Sequence, residues 1–201
     1  MKDLRLITVL AAAAFLLRGA AIANDGPGAS SAVFLTLPSD AATAALGGTS
    51  AAATPSPAAV FNNPANLVGV KTGSVDFSHS LWLENINYDT LASAVPCGGG
   101  TAAIGVRYLR YGGIDALDNT GAAAGSISPM DISVSAAWAV ELGGGLAAGV
   151  AGKYIDSKIS ASASTLAMDL GLRFSSGRFA AGAGVENLGG PLKFFDEKYP
   201  L

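Results

Sequence analysis

Residues 129–141 read PMDISVSAAWAVE, and with the next residue their side chains separate into two sets. Ile132, Val134, Ala136, Trp138, Val140 and Leu142 fall on one side; Asp131, Ser133, Ser135, Ala137, Ala139 and Glu141 fall on the other. A period of two is the signature of a β-strand with one apolar face. Residues 142–145 turn the chain into 146–156, and after a Ser-rich loop residues 164–174 sort again. There Leu166, Met168, Leu170, Leu172 and Phe174 alternate with Ala167, Asp169, Gly171 and Arg173. Working outward, residues 73–82 (GSVDFSHSLW), 85–95 and 101–111 precede this block, and 178–187 follow it. In the last, Phe179, Ala181, Ala183 and Val185 oppose Ala180, Gly182, Gly184 and Glu186. The reading is seven antiparallel strands, with the long polar stretch 112–128 as a loop.

Strands of about ten residues suit a tilted crossing of a hydrocarbon layer, whereas soluble sandwiches use strands of about five or six. The breaks at residues 96–100, 142–145 and 175–177 are tight and fall at one end, and the longer connections fall at the other. That asymmetry matches barrels with short periplasmic turns and longer outer loops. Trp82, Tyr88, Tyr108, Tyr111 and Tyr154 lie toward the long-loop end, and Phe174 and Phe179 toward the tight-turn end, as two aromatic girdles would. Mean hydropathy is +0.43 with 13% charged residues and 26 glycines, yet beyond the first 20 positions no apolar run reaches the ~18 residues of a spanning helix. The expected fold is therefore all-β, a transmembrane up-and-down antiparallel barrel. Closure is expected because an unpaired strand edge in lipid costs several kcal/mol for each backbone group.

The N-terminus reads as an export signal: Lys2 and Arg5, an apolar run over residues 6–17, and Ala21-Ile22-Ala23 as a small-x-small cleavage site. The domain reading is a signal peptide at 1–23, an inner segment at 24–72 and strands over 73–201. Removal of residues 1–23 leaves nine basic and fourteen acidic side chains, which argues against nucleic acid as a partner. Cys97 has no second cysteine to pair with and lies too far from the signal for lipid attachment. His79 is the single histidine, and no G-x-S-x-G turn accompanies it, so no enzyme activity is expected. Gly98-Gly99-Gly100 lacks the Lys-Ser/Thr and helix of a phosphate cradle, and neither a metal site nor a cofactor is expected. Asp131, Glu141, Lys153, Asp169, Arg173 and Glu186 are assigned to the lumen, because a charge facing lipid near the midplane costs about 2–4 kcal/mol. Asp169→Arg is accordingly expected to be better tolerated than Leu170→Arg.

Residues 41–68 (AATAALGGTSAAATPSPAAVFNNPANLV) and 77–115 resemble the PorV/PorQ family of outer-membrane barrels. The motifs are Leu46-Gly47-Gly48, Asn63-Pro64-Ala65, Ser78-His79 ahead of Trp82, Tyr88-Asp89, Pro96 with the three glycines, and Tyr108-Leu109-Arg110-Tyr111-Gly112. Lys153-Tyr154-Ile155 and residues 185–189 (VENLG) extend the resemblance over nearly all of the chain beyond the signal. That family is similar to the long-chain fatty-acid transporters, whose fourteen-strand barrel holds an N-terminal plug. The resemblance implies that residues 28–68 are such a plug, with Asn63, Pro64 and Ala65 as its motif. It implies location in the outer membrane, contact with its lipid, and either a scaffold role in protein secretion of the type IX kind or passive transport of hydrophobic small molecules. Seven strands ending without an aromatic-terminated closing strand read as the first half of an incomplete fourteen-strand barrel.

Overall fold

The computed structural model describes residues 31–159, 161–194 and 197–199; the expected signal peptide lies outside them. Seven strands form one antiparallel sheet: β1 (Ser74–Leu81), β2 (Asn87–Cys97), β3 (Gly100–Arg110), β6 (Met130–Gly143), β7 (Leu146–Lys158), β8 (Ser162–Ser176) and β9 (Phe179–Gly189). All seven sequence-read strands are present and each pairs with its neighbour in chain order. The stretch 112–128 is more than a loop, because β4 (Ile114–Leu117) and β5 (Ala123–Ile127) pair there as a separate hairpin. A last small hairpin pairs β10 (Leu192–Phe194) with β11 (Glu197–Tyr199).

The turn read at 96–100 is tighter than expected. Pairing continues to Cys97↔Gly100, leaving Gly98 and Gly99 as a two-residue link at φ 53° and 80°. Positive φ at both central positions gives a turn whose twist follows that of the strands, and glycine adopts it without a Cβ penalty. Pro96 is tolerated in β2 because β1 begins opposite Ala94, so the missing N–H has no neighbour on that side.

The sheet is not closed. Among the described residues β1 pairs only with β2 and β9 only with β8, so in place of the expected closed barrel stands an open seven-stranded wall with two free edges. No described helix is long and apolar enough to cross a membrane, which says nothing about crossing by strands.

The two faces of the wall differ in side-chain size. On one, Phe77, Leu91, Val106, Val134, Tyr154 and Leu166 lie in register across six strands, and most of them are exposed. On the other, Ala94, Ala103, Ala137, Ala151 and Asp169 form one buried row, and Pro96, Thr101, Ala139, Gly149, Gly171 and Gly184 form a second row that is buried at its centre and exposed at Pro96 and Gly184. Soluble sheets bury the large apolar side chains and expose the small and polar ones. Here the order is inverted.

Residues 31–70 cover the small-residue face. They comprise a 3-10 turn at Val33–Thr36, an α-helix at Ala41–Ala45 capped by Asp40, and 3-10 helices at Pro57–Phe61 and Pro64–Gly69. Both of the last two start on a proline, whose fixed φ suits a first helical turn and whose missing N–H needs no partner there. Val60, Phe61, Ala65 and Leu67 are fully buried against the wall.

Candidate functional site

The interface between this inner segment and the wall is where the sequence-singled residues meet. Asn63 precedes the Pro64–Gly69 helix, and its Oδ1 accepts from Ala65 N–H at 3.0 Å, the bond expected of an N-cap. Its Nδ2 donates to Ala51 O at 2.6 Å within the segment and to Leu172 O at 3.0 Å on β8. One buried amide therefore caps a helix, ties two parts of the segment together and fastens them to the wall. Pro64 and Ala65 lie flat on β7 and β8: a Cβ on Gly149 would stand 2.5 Å from Ala65 N, and one on Gly171 within 1.9 Å of Asn63 Oδ1. At Gly182 a Cβ would fall 1.8 Å from Ala51 O. These glycines let backbone approach backbone.

Of the charges assigned to the inner side, Asp131, Lys153 and Asp169 are buried and Arg173 is partly so. Lys153 Nζ pairs with Asp169 Oδ2 at 2.7 Å and donates to Asn187 Oδ1 at 2.9 Å, and Asp169 Oδ1 accepts from Asn187 N–H at 2.8 Å. A bulge makes this possible: Met168 pairs with Leu188 but Leu170 with Val185, so Glu186 and Asn187 share the place opposite Asp169, with Asn187 at φ 60°. The cluster ties β7, β8 and β9 together through bonds that stay within the wall. Arg173 does touch it, donating to Asn66 Oδ1 at 2.7 Å and Ala53 O at 2.9 Å. Asp131 accepts from the Tyr111 hydroxyl at 2.6 Å. Burial first, then this bond, pushes the Tyr111 phenol well above its usual range, so it stays a donor in alkaline solution.

Two of the six depart from the expectation. Glu141 lies on the covered side by alternation, but at the tight-turn rim it is exposed, and its pair with Lys71 at 3.3 Å is exposed on both sides. Such a pair contributes at most about 1 kcal/mol. Glu186, on edge strand β9, is likewise exposed. The girdle reading also changes at Tyr88, which points inward and is 2% exposed, while Trp82, Tyr154 and Phe179 remain exposed. His79 is on the outer side, 2.6 Å from Asp89 on the neighbouring strand.

Arg107 is the functional residue that the sequence reading missed. It is 1% exposed, and it donates to Leu35 O at 2.5 Å, Phe61 O at 2.9 Å and Asn62 Oδ1 at 3.1 Å, with its guanidinium 4.7 Å from the Phe61 ring centre. Three points of the inner segment hang from one side chain. The available signal was its parity: Thr101, Ala103, Gly105, Arg107 and Leu109 form the small-residue side of β3, opposite Ile104 and Val106.

Beside the segment, between the Ala41–Ala45 helix and the β1–β2 pair, lies a cavity of about 360 Å³. Its wall includes Asp40, Asp76, Asn62, Asn66, Ser78 and Thr90. No protein-family model and no curated protein matches the chain.

Proposed function

We propose that this chain is a plugged wall of an outer-membrane β-barrel, serving as a structural scaffold rather than an open channel or an enzyme. The supporting observation is the inverted sorting of the sheet, with glycine, alanine and serine buried and leucine, valine, phenylalanine and tryptophan outside. The apolar outer surface runs along β8 from Leu166 to Phe174. That is roughly 27 Å of strand at ~3.4 Å per residue, which at a tilt of ~35–45° spans about 20 Å of the ~25 Å apolar band of barrels in lipid. Seven strands at ~4.8 Å spacing make this surface roughly 800 Å², larger than the ~300–600 Å² patch a soluble monomer usually carries. Left in water it would cost about 20 kcal/mol at ~25 cal/mol per Å². Lipid removes that cost. The exposed edges of β1 and β9 would then pair with further strands, since lipid cannot satisfy their backbone groups.

The scaffold reading rests on how the inner segment is seated. Arg107, Arg173 and Asn63 bind its backbone carbonyls, and Gly149, Gly171 and Gly182 let it lie without a gap on the wall. A tightly seated plug suits a part that presents outer loops, such as the β4–β5 hairpin, to secretion partners. Membership of the PorV/PorQ family, and with it a link to type IX secretion, rests on the motifs quoted above. The second reading, passive transport of hydrophobic molecules, draws on the cavity beside the plug. Its lining mixes apolar residues such as Ala42, Leu46, Ala59 and Phe77 with carboxylates, amides and hydroxyls.

The test is fractionation of cells expressing the full gene, followed by gel migration of the outer-membrane extract with and without boiling. A membrane protein whose migration changes on heating supports the reading. A soluble protein would end it, and a large single-channel conductance in planar bilayers would favour transport over scaffold.

A further inference from the structure

The cavity between the Ala41–Ala45 helix and the β1–β2 pair has a buried floor and an open mouth. Ser39, Thr43, Ala59, Asn66 and Thr90 are 1–7% exposed, whereas Ala42 and Leu46 of the same lining lie at the surface. Its volume of about 360 Å³ exceeds the needs of a bare ion and falls at the small end of ligand pockets, which run from about 300 to 1,000 Å³.

What a ligand would meet there follows from which polar atoms are already engaged. Asn62 Oδ1 accepts from Arg107 at 3.1 Å and Asn66 Oδ1 from Arg173 at 2.7 Å, while their Nδ2 groups donate to Ser39 Oγ and Ser50 O, both at 3.0 Å. The Thr90 hydroxyl donates to Ser39 O at 2.6 Å, and the Thr43 hydroxyl to Asp40 Oδ2 at 3.0 Å. The amide donors and these hydroxyls are thus taken. Asp76, on the inner side of β1, differs: its Oδ2 accepts one long bond from Ala58 N–H at 3.3 Å, and its Oδ1 has no bond among the described residues. The hydroxyl of Ser78, next on the same side of β1, is also unengaged among them.

The charges point the same way. The lining holds two carboxylates, Asp40 and Asp76, and no Lys, Arg or His. Asp40 is joined to a buried cation by a relay in which Arg107 donates to Asn62, Asn62 to Ser39, and the Ser39 hydroxyl to Asp40 at 3.3 Å. On the wall, Asp169 pairs with Lys153 and Glu141 with Lys71, but no cation among the described residues pairs with Asp76. We propose that this cavity binds a small organic molecule bearing a primary ammonium group, which donates to Asp76 while Ala42, Leu46 and Ala59 flank its short carbon chain. An ammonium brings three donors and one positive charge, matching acceptors that are free and a carboxylate that lacks a counter-charge. The inference is independent of whether the outer face meets lipid.

The experiment is a ligand-observed NMR titration of the purified full chain near neutral pH with butylammonium chloride, beside butanol and sodium butyrate, with protein-free solution as blank. It is repeated on Asp76→Asn and on Ala42→Trp, which sets an indole at the mouth and leaves the floor unchanged. Butylammonium should bind at one saturable site, with butanol and butyrate weaker by about 10-fold or more, the worth of a charge-assisted hydrogen bond, and each variant should weaken butylammonium by a similar factor. No saturable binding of butylammonium, equal binding of butanol, or unchanged binding in either variant would overturn the proposal. If Asp76→Asn does not fold, the butanol comparison and Ala42→Trp decide.

Discussion

Gly149→Ala places one methyl group where the inner segment lies closest to β7. The new carbon would stand 2.5 Å from Pro64 C, 2.5 Å from Ala65 N and 2.8 Å from Pro64 O, all backbone atoms that no rotamer change can move. Restoring ordinary contact requires the Pro64–Gly69 helix to lift by about 1 Å, since carbon contacts are optimal near ~3.5–4.0 Å. That lift stretches the Asn63 bond to Leu172 O, now 3.0 Å. Overpacking costs about 1–3 kcal/mol, and a loosened buried hydrogen bond about 1 kcal/mol more. The expected loss is therefore about 3 kcal/mol. Gly152→Ala is the control. It lies three residues along the same strand on the outer face with nothing within 4 Å of the new carbon, so it should be neutral or stabilising by about 0.5 kcal/mol. Equilibrium urea unfolding measures both, and limited proteolysis of residues 31–70 shows whether the segment has lifted. If both variants unfold at the wild-type midpoint, or Gly152→Ala is the more damaging, the account of how the segment is seated is wrong.

Lys153→Met strands the Asp169 carboxylate in a buried site and should cost about 3–5 kcal/mol, with Lys153→Met/Asp169→Leu less destabilised than the single variant in the same unfolding assay. Leu170→Arg puts a charge on the outer face at a cost of about 2–4 kcal/mol in lipid, so the yield of membrane-inserted protein should fall. The expectation that Asp169→Arg is better tolerated is withdrawn: Asp169 is 0% exposed and pairs with Lys153, so that variant sets two cations together and should lower folded yield as well. At the β4–β5 hairpin the Thr120 hydroxyl bond, followed by backbone bonds from Ala122 and Thr120, holds the Asp118 carboxyl below its usual range. A depressed folded pKa contributes order above the unfolded value, near pH ~4, and loses it as pH falls through the folded one. Amide exchange in residues 118–122 should therefore stay protected at pH ~5 and quicken only below pH ~4, and Asp118→Asn should abolish that dependence.

The strands were legible because alternation is a local property: the faces of β6, β7 and β8 follow from reading every second residue. The covered side was legible from where the charges fell, and Lys153 and Asp169 prove to be buried together. What lay beyond reading depends on neighbours distant in sequence. The bulge at Glu186 and Asn187 is set by pairing with Asp169 across β8. Glu141 and Glu186 have the parity of buried charges, yet both are exposed: Glu141 sits at the rim, and on edge strand β9 the inner segment meets Gly182 but leaves Glu186 open. The 3-10 helices are too short for a helical period to register, although Pro57 and Pro64 mark where they begin. Arg107 was hidden by its setting: its acceptors are backbone carbonyls, to which every residue contributes alike, so no residue type announced them.

The central claim is that the outer face of the wall meets lipid, and Trp138 allows it to be measured. This side chain sits on that face in register with Val150 of β7, and the only other tryptophan, Trp82, can be changed to Phe. The W82F protein, reconstituted in bilayers whose acyl chains carry bromine near the midplane, should lose most of its Trp138 fluorescence while dissolved iodide leaves it unchanged. Strong quenching by iodide with none by the brominated chains would contradict the account.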